Sequence, residues 1–248
     1  MKKTILITGG GRGIGAACAF HAADLGYQVC INFLSDENAA TAVVDAIARR
    51  GGAAFAVKAD VSDEEQVERL FRAVDERFGR LDALVNNSGV LSQQMRVDQM
   101  SAARIQRIMA TNVVGSILCA REAVRRMSTR HGGMGGGIVN ISSRAGVLGA
   151  AGEYVDYAAS KAAMDALTVG LSKEVAGEGI RVNGVRPGLI ETDMHASGGE
   201  PGRVARLAAT VPMGRGGQPL EVAQAVLWLL SDAASYTTGS FIEVSGGR

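Results

Sequence analysis

A tyrosine and a lysine four positions apart, Tyr157 and Lys161, are the pair whose types and spacing most clearly suggest chemistry. On a helix such residues lie on one face, so the phenol oxygen and the ammonium group can reach the same pocket. A fixed cation beside a phenol favours the phenolate and lowers the tyrosine pKa from its ordinary value of about 10. Ser143, fourteen residues before Tyr157, adds a hydroxyl. Together these side chains predict a group that protonates a carbonyl oxygen.

The elements that would position this group follow a regular pattern. Short runs rich in valine, isoleucine and leucine alternate with longer amphipathic stretches, which is typical of βαβ units. The predicted strands are Thr4–Thr8, Gln28–Phe33, Ala53–Lys58, Leu81–Asn86, Gly137–Ser142, Ile180–Arg186 and Ser240–Val244. No long linker, charge block or repeat separates them. We therefore predict one α/β domain over residues 1–248, with a doubly wound, seven-stranded parallel sheet flanked by helices on both faces.

Several local signals mark helix starts and loops. Ser62-Asp63-Glu64-Glu65 predicts a capping box led by the serine, and Ser101 predicts the start of a long helix over residues 102–129. Two glycine-rich segments, Gly132–Gly137 and Ser197–Gly202, are predicted loops.

Composition bounds the class of protein. The chain of 248 residues is 47% hydrophobic and 21% charged, as globular proteins are. Its 26 basic and 25 acidic side chains are interspersed and leave a formal charge of +1, so neither nucleic acid nor a membrane is expected as a partner. The apolar run near the amino terminus is too short for a signal peptide or a membrane span, which favours the cytoplasm.

The sulfur and imidazole side chains do not suggest a metal. The three cysteines, Cys18, Cys30 and Cys119, form no CxxC pair and lie in apolar contexts, so we predict buried, reduced thiols. The three histidines have no ligand spacing, so no metal site is predicted.

A glycine-rich turn between the first strand and an alanine-rich helix predicts a nucleotide site. It reads Thr8-Gly9-Gly10-Gly11-Arg12-Gly13-Ile14-Gly15. Glycines there let backbone amides approach a pyrophosphate at a helix N-terminus. Two spacings fit, one anchored on Thr8 and one running Gly11-x-Gly13-x-x-Ala16, and either predicts a dinucleotide.

The end of the second strand predicts which dinucleotide binds. An acid there would hydrogen-bond the ribose 2′-hydroxyl, whereas a 2′-phosphate needs cations and donors. Phe33 stands where the acid would be, and Arg12 can reach the same ribose. We therefore predict NADP(H) as the preferred cofactor, with NAD(H) also able to bind. Asp36 and Glu37 would oppose a phosphate if they faced it.

These motifs resemble the short-chain dehydrogenase/reductase family along the chain from Thr8 to Gly247. The residues that carry the resemblance are Thr8-Gly9-x-x-x-Gly13-x-Gly15, Asp60-Val61, Asn86-Asn87-Ser88-Gly89, Asn112, Asn140-Ile141-Ser142-Ser143, Tyr157-x-x-x-Lys161 and Arg186-Pro187-Gly188-Leu189-Ile190-Glu191-Thr192. Within the family the chain looks most like bacterial glucose-dehydrogenase-like oxidoreductases and 3-oxoacyl-(acyl-carrier-protein) reductases. It departs at Ser88, where alanine is usual, and in a serine-to-tyrosine distance one residue longer than in many members, which predicts a bulge over residues 152–156.

The resemblance implies a single NAD(P)-binding Rossmann domain and a catalytic set. Tyr157 would be the general acid and base, and Ser143, chosen over adjacent Ser142, would hydrogen-bond the substrate oxygen. Lys161 would tune the tyrosine and hold the nicotinamide ribose, and Asn112 would hold a water that supplies protons. The implied cofactor set is Gly9, Gly11, Arg12, Gly13, Ile14, Gly15, Asn32, Phe33, Ser35, Asp60, Val61, Asn87, Ser88, Gly89, Tyr157, Lys161, Pro187, Gly188, Ile190 and Thr192.

The resemblance also implies a substrate, an assembly and alternatives. Residues 193–211 would form a lid over a small carbonyl or alcohol substrate, and the chain would form a homotetramer. Reduction of a 3-oxoacyl thioester on a carrier protein is an alternative that requires a basic docking patch, for which Arg125, Arg126 and Arg130 are candidates. A regulator that senses NADP without catalysis is a second alternative, which the intact catalytic set disfavours.

Overall fold

Seven parallel strands form one sheet in the computed structural model, which describes residues 2–248. They are β1 (Thr4–Ile7), β2 (Gln28–Phe33), β3 (Ala53–Lys58), β4 (Ala83–Asn86), β5 (Gly136–Ile141), β6 (Ile180–Pro187) and β7 (Phe241–Val244). Their order across the sheet is β3-β2-β1-β4-β5-β6-β7, so the chain reverses direction between β3 and β4. The predicted strands are all present, two (β2 and β3) with the predicted bounds and five with at least one end shifted by one or two residues.

Helices cover both faces of this sheet. They are α1 (Gly13–Asp24), α2 (Glu37–Arg49), α3 (Glu64–Phe78), α4 (Ala102–Met109), α5 (Gly115–Met127), α6 (Ala145–Leu148), α7 (Val155–Val175), α8 (Met194–Ser197), α9 (Arg203–Leu207) and α10 (Pro219–Leu230).

The core is divided by the sheet into two apolar clusters. Ile5 and Ile7 of β1 pack on the side of α1 and α10, whereas Leu6 between them packs on the side of α3 and α5. Successive strand residues point to opposite faces, and each of these three is fully buried. Burying one such side chain contributes about 1.5–3 kcal/mol. An all-apolar strand is therefore what a sheet covered on both faces requires.

The cap of α3 differs from the prediction. Asp63, not Ser62, is the N-cap, and its carboxylate accepts from the Gln66 amide at 3.1 Å. The Ser62 hydroxyl instead donates to the Asp60 carboxylate at 2.7 Å. The prediction for the next helix is confirmed, because Ser101 accepts from the Arg104 amide at 3.3 Å.

The stretch predicted as one long helix contains a π-helical turn, Ala110–Val114, between α4 and α5. Asn112 lies in this turn, and its main-chain oxygen accepts from the Ser116 hydroxyl at 2.9 Å. Such insertions are rare and often occur at functional sites. The helix after the turn packs closely, since a Cβ on Gly115 would lie 2.8 Å from Val61 Cγ2.

Both loop predictions are partly wrong. Gly136 and Gly137 begin β5, where a Cβ on Gly136 would lie 2.4 Å from the Met127 sulfur, so these glycines serve close packing and not a loop. Ser197 ends α8.

The cysteine prediction is confirmed, because all three thiols are free and buried. Burial raises the pKa of Cys18 and of Cys119 to about 12. Within residues 2–248 no helix combines the length and the apolar character needed to cross a bilayer.

Candidate active site

The predicted catalytic residues come from three elements that meet at the carboxyl edge of the sheet. Ser143 follows β5, Tyr157 and Lys161 lie in the first two turns of α7, and Asn112 lies in the π-helical turn. Since strands of a parallel sheet all end at one edge, these residues are brought together although they are far apart in sequence.

Ser143 faces Tyr157, and Ser142 does not. The Ser143 hydroxyl acts to lower the Tyr157 pKa and accepts from the Ala145 amide at 3.1 Å. Ser142 is buried, and its hydroxyl donates to the Lys161 carbonyl at 3.1 Å. Both serines line the cavity that contains Tyr157, but the Ser142 hydroxyl is engaged with α7.

In this structure burial outweighs the expected effect of Lys161 on the tyrosine pKa. Burial raises the pKa of Tyr157 to about 12, and Ser143 only partly offsets it. Lys161 Nζ lies 5.6 Å from the Tyr157 ring centroid and donates to the Ile141 carbonyl at 2.7 Å. Burial also lowers the pKa of Lys161 to about 8, against the raising effect of Asp165. Tyr157 therefore holds its proton at neutral pH.

Asn112 ties the loop after β4 to α7. It is fully buried, its Oδ1 accepts from the Val90 amide at 2.7 Å, and its Nδ2 donates to the Ser160 hydroxyl at 3.0 Å. A Cβ on Gly89 would lie 3.4 Å from Lys161 Nζ and 3.6 Å from Asn112 Oδ1. The bare glycine therefore leaves the space beside both groups open.

Two adjoining cavities meet at this group. A cavity of about 170 Å³ is lined by Ser143, Tyr157 and Lys161 and extends toward residues 148–154 and 187–195. A second, of about 520 Å³, follows the glycine-rich turn. The residues that line both are Ile14, Asn87, Leu91, Thr192 and Met194. We call the first the substrate-side cavity and the second the glycine-lined cavity.

The glycine-lined cavity ends at a helix N-terminus that no side chain caps. Helix α1 begins at Gly13 without a side-chain hydrogen bond from Arg12, whereas carboxylates or a hydroxyl cap α2, α3 and α4. Uncapped amides and the helix dipole favour an anion. Gly9 and Gly13 have left-handed φ angles of 62° and 54°, and a Cβ on Gly15 would lie 2.3 Å from the Gly9 carbonyl oxygen. The spacing anchored on Thr8 is therefore the one that the backbone requires.

One wall of this cavity presents an unpaired cation. Arg12 is exposed and forms no ion pair within residues 2–248, and Phe33 and Ser35 line the same wall. Asp36 also lines it, with Oδ1 accepting from the Ala39 amide at 3.0 Å as the cap of α2. Glu37 does not line the cavity.

Comparison with known proteins identifies the family of this chain. A family model described as enoyl-(acyl carrier protein) reductase matches residues 9–248. The oxidoreductase YgfF of Escherichia coli, whose function is uncharacterised, is 58% identical over 243 residues, which cover 98% of each chain. The chain belongs to the short-chain dehydrogenase/reductase family.

Two further relatives describe the range of this family. A 3-oxoacyl-(acyl-carrier-protein) reductase of Staphylococcus aureus is 35% identical over 247 residues, covering 100% of this chain and 98% of the relative. The crystal structure of a short-chain dehydrogenase from Burkholderia cenocepacia in complex with NADP is 32% identical, with a TM-score of 0.90 over 99% of this chain and 97% of that one.

The cofactor residues predicted from this family divide between the two cavities. Those lining the glycine-lined cavity are Gly9, Gly11, Arg12, Gly13, Ile14, Asn32, Phe33, Ser35, Asp60, Val61, Asn87, Ser88, Gly89 and Thr192. Those lining the substrate-side cavity are Ile14, Asn87, Tyr157, Lys161, Pro187, Gly188, Ile190 and Thr192. Gly15 lines neither and is buried beneath the turn.

Some of these side chains are already engaged within the protein. Asn32 is buried, with Oδ1 accepting from the Gly9 amide at 3.3 Å and Nδ2 donating to the Ala59 carbonyl at 2.8 Å, so it braces the glycine turn. Asp60 Oδ1 accepts from the Ser62 amide and hydroxyl at 2.9 and 2.7 Å.

The 193–211 segment, which contains α8 and α9, contributes Met194, His195 and Arg203 to the lining of the substrate-side cavity. Arg203 is buried and bonds both Glu153 and Glu200, and its guanidinium carbon lies 5.2 Å from the Tyr154 ring centroid. The Tyr154 hydroxyl donates to the Gly198 carbonyl at 3.2 Å. These contacts tie the segment to the turn before α7.

Sequence reasoning missed Glu153, Tyr154 and Arg248, which all line the substrate-side cavity. The signal for the first two was the extra residue in the serine-to-tyrosine distance. The bulge predicted there is a turn that ends at Tyr154, with left-handed φ angles at Ala150 and Gly152, and α7 begins at Val155. Nothing in the sequence marks Arg248.

Proposed function

We propose that this protein is an NADP(H)-dependent oxidoreductase that transfers hydride between the cofactor and a small carbonyl or alcohol substrate. The observation that carries the proposal is that Ser143 and Tyr157 line one cavity, directly beside a glycine-lined cavity. Lys161 is buried next to both. A proton donor and a dinucleotide-sized site thus adjoin.

The glycine-lined cavity fits a dinucleotide phosphate. The left-handed glycines and the uncapped start of α1 would hold the pyrophosphate, and the unpaired Arg12 would meet a ribose 2′-phosphate. The NADP complex of the Burkholderia cenocepacia relative supports this choice. When bound, the nicotinamide supplies the hydride.

The remaining steps fall to this chain's own residues. Tyr157 Oη gives its proton to the substrate oxygen, and the Ser143 hydroxyl donates a hydrogen bond to that oxygen as its charge grows. Lys161 Nζ, charged below its pKa of about 8, stabilises the phenolate that remains until a proton returns. In the reverse direction Tyr157 accepts the proton. The 193–211 segment acts as a lid that excludes water.

A substrate panel with both cofactors tests this proposal. NADPH or NADH is combined with ketones, sugars and acetoacetyl thioesters, and oxidation of the nicotinamide is followed by absorbance. We expect turnover with a higher kcat/KM for NADPH, and a smaller NADPH preference in Arg12→Met. Arg50→Met, which removes a cation 60% exposed and not lining either cavity, is the matched control. A kcat/KM clearly higher with NADH would overturn the cofactor choice.

The carrier-protein alternative has weaker support. The candidate docking cations are engaged in ion pairs, Arg125 and Arg126 with Glu122 and Arg130 with Glu178. They therefore form no free basic patch. Its support is the 35% identity to the Staphylococcus aureus reductase. Turnover confined to acyl thioesters would favour it, and tight NADPH binding without turnover of any compound would favour a sensor.

We also propose that the chain assembles into a homotetramer. Large apolar side chains are exposed on helices at two places, Ile105 and Ile117 on α4 and α5 and Leu220 and Trp228 on α10. Two exposed apolar areas suit two kinds of subunit contact. Light scattering of the eluting protein measures the assembly, and a monomer at micromolar concentration would contradict it.

A further inference from the structure

The last four residues turn back to the substrate-side cavity. Gly246 and Gly247 have left-handed φ angles of 63° and 92°, which side chains rarely adopt. The Arg248 amide then donates to the Ser245 carbonyl at 3.3 Å, and the Met213 amide donates to the Gly246 carbonyl at 3.1 Å. This turn brings Arg248 into the lining of the cavity that contains Tyr157.

The positive charge of the Arg248 guanidinium group is not balanced by a partner in the described residues. Within residues 2–248 it forms no ion pair, and its Nη1 is buried without a hydrogen-bond acceptor. Buried donors nearly always have partners, so an unsatisfied guanidinium nitrogen needs an explanation. A ligand oxygen in the cavity would supply the missing acceptor.

The other charged groups of the cavity are already matched. Arg203 forms ion pairs with Glu153 and Glu200, so Glu153, the one acidic side chain in the lining, already has a partner. Arg144 pairs with Glu243 and donates through Nε to the Arg248 main-chain oxygen at 2.7 Å. Arg248 is therefore the cation available to a substrate, apart from Lys161 beside Tyr157.

His195 provides a second unsatisfied atom of opposite character. Its Nε2 lies 3.0 Å from the Ile190 carbonyl oxygen, which can only accept, so Nε2 carries the hydrogen. Nδ1 is then a lone-pair acceptor, and it is buried without a partner. Burial lowers the pKa of His195, which keeps the ring neutral. Both residues line the cavity, so an anion beside Arg248 and a donor beside His195 would satisfy these two atoms.

We propose that the substrate is a short hydroxylated oxo acid whose carboxylate binds Arg248 and whose hydroxyl donates to His195. This rests on the proposed function, since the carbonyl is reduced at Tyr157. One free guanidinium matches a singly charged carboxylate in a two-pronged hydrogen bond. A doubly charged phosphate would need further cations, which here are paired. The volume of about 170 Å³ suits a small molecule.

Matched acids and esters test the role of Arg248. Pyruvate, acetoacetate and levulinate are each compared with their methyl esters as substrates, with NADPH. We expect kcat/KM at least tenfold higher for at least one acid than for its ester, and loss of that ratio in Arg248→Met. Arg248→Lys should keep part of it because the charge remains, and Arg50→Met should keep all of it. Folding and NADPH binding of each variant are checked by thermal melts and nicotinamide fluorescence.

The role of His195 is tested with hydroxypyruvate and pyruvate, which differ by one hydroxyl. We expect the hydroxylated acid to have a kcat/KM at least fivefold higher, with the difference lost in His195→Phe and partly kept in His195→Gln, whose amide oxygen can accept.

The outcomes separate this inference from the proposed function. If neutral carbonyl compounds are reduced but acids have no advantage, or if Arg248→Met keeps the acid-to-ester ratio, the inference is wrong and the reductase stands. If no compound is reduced, the proposed function fails. Binding of the same acids and esters to the NADP-loaded protein, measured by saturation-transfer NMR, then decides: binding of an acid that Arg248→Met abolishes supports the site, and equal binding of acid and ester overturns it.

Discussion

The two cavities that meet at Tyr157 are built in different ways. The glycine-lined cavity lies mainly at the turns that follow β1, β2, β3 and β4, and its left-handed glycines lie within residues 9–15. The substrate-side cavity is closed by residues 148–154, the 193–211 segment and the last four residues of the chain. Side chains join the first two of these segments. Apart from the residues that line both cavities, the substrate wall can thus change without altering the glycine turn.

The largest expected effect lies at the junction of the two cavities. Tyr157→Phe keeps the aromatic ring and removes the hydroxyl that is the proposed proton donor. We therefore expect kcat to fall at least ~10²-fold while NADPH binding is retained. Steady-state kinetics and nicotinamide fluorescence measure the two quantities. Near-normal turnover in this variant would show that another group provides the proton.

A single methyl group should damage the cofactor end. Gly15→Ala places a Cβ 2.3 Å from the Gly9 carbonyl oxygen, which forces the turn apart. We expect NADPH to bind at least about tenfold more weakly, about 1.4 kcal/mol, when measured by fluorescence titration.

The control for this variant is Gly170→Ala in the exposed middle of α7, where a Cβ would meet nothing within 4 Å. That change should raise the free energy of unfolding by about 0.5–1 kcal/mol. Equal NADPH affinity in both variants would mean that the backbone of the turn does not define the cofactor site.

The substrate end should depend on a side chain instead. Arg203→Met removes the cation that joins Glu153 to Glu200, so the 193–211 segment loses its tie to the turn before α7. We expect kcat/KM for the substrate to fall about tenfold through KM, with NADPH affinity little changed. Arg206→Met is the comparison, because Arg206 is 53% exposed and such pairs contribute about 0–1 kcal/mol. A matching loss in NADPH affinity would contradict the separation of the two ends.

The same difference explains what the sequence predicted. The seven strands and the glycine turn are written in local patterns, since Ile5, Leu6 and Ile7 are apolar on both faces and glycines precede α1. The family resemblance added Ser143 and Asn112, which no local pattern marks strongly.

Other features depend on contacts that a sequence does not display. The π-helical turn at Asn112 is a local change in the hydrogen-bond register of the helix, and no residue type in this stretch predicts it. Arg248 reaches the cavity through a turn in which Gly246 and Gly247 adopt left-handed φ angles and the Gly246 carbonyl accepts from the Met213 amide. The spacing of Tyr157 and Lys161 predicted their proximity correctly, but it did not reveal that burial outweighs the cation in setting the tyrosine pKa.

The smallest expected effect concerns the charge of Lys161. Its pKa is lowered to about 8 by burial and raised by Asp165, so it loses its proton as the pH rises through about 8. The proposed reduction uses the charged form, and its rate should therefore decline above that pH. Asp165→Asn removes the raising influence, lowers the lysine pKa further and should move the decline to lower pH by less than about one unit, with the low-pH plateau of kcat preserved. A pH profile of kcat measures this, with exposed Asp45→Asn as the control of equal charge. A decline that stays in place, or moves to higher pH, would mean that Lys161 does not set the pH limit and that the proton path from Tyr157 runs through another group.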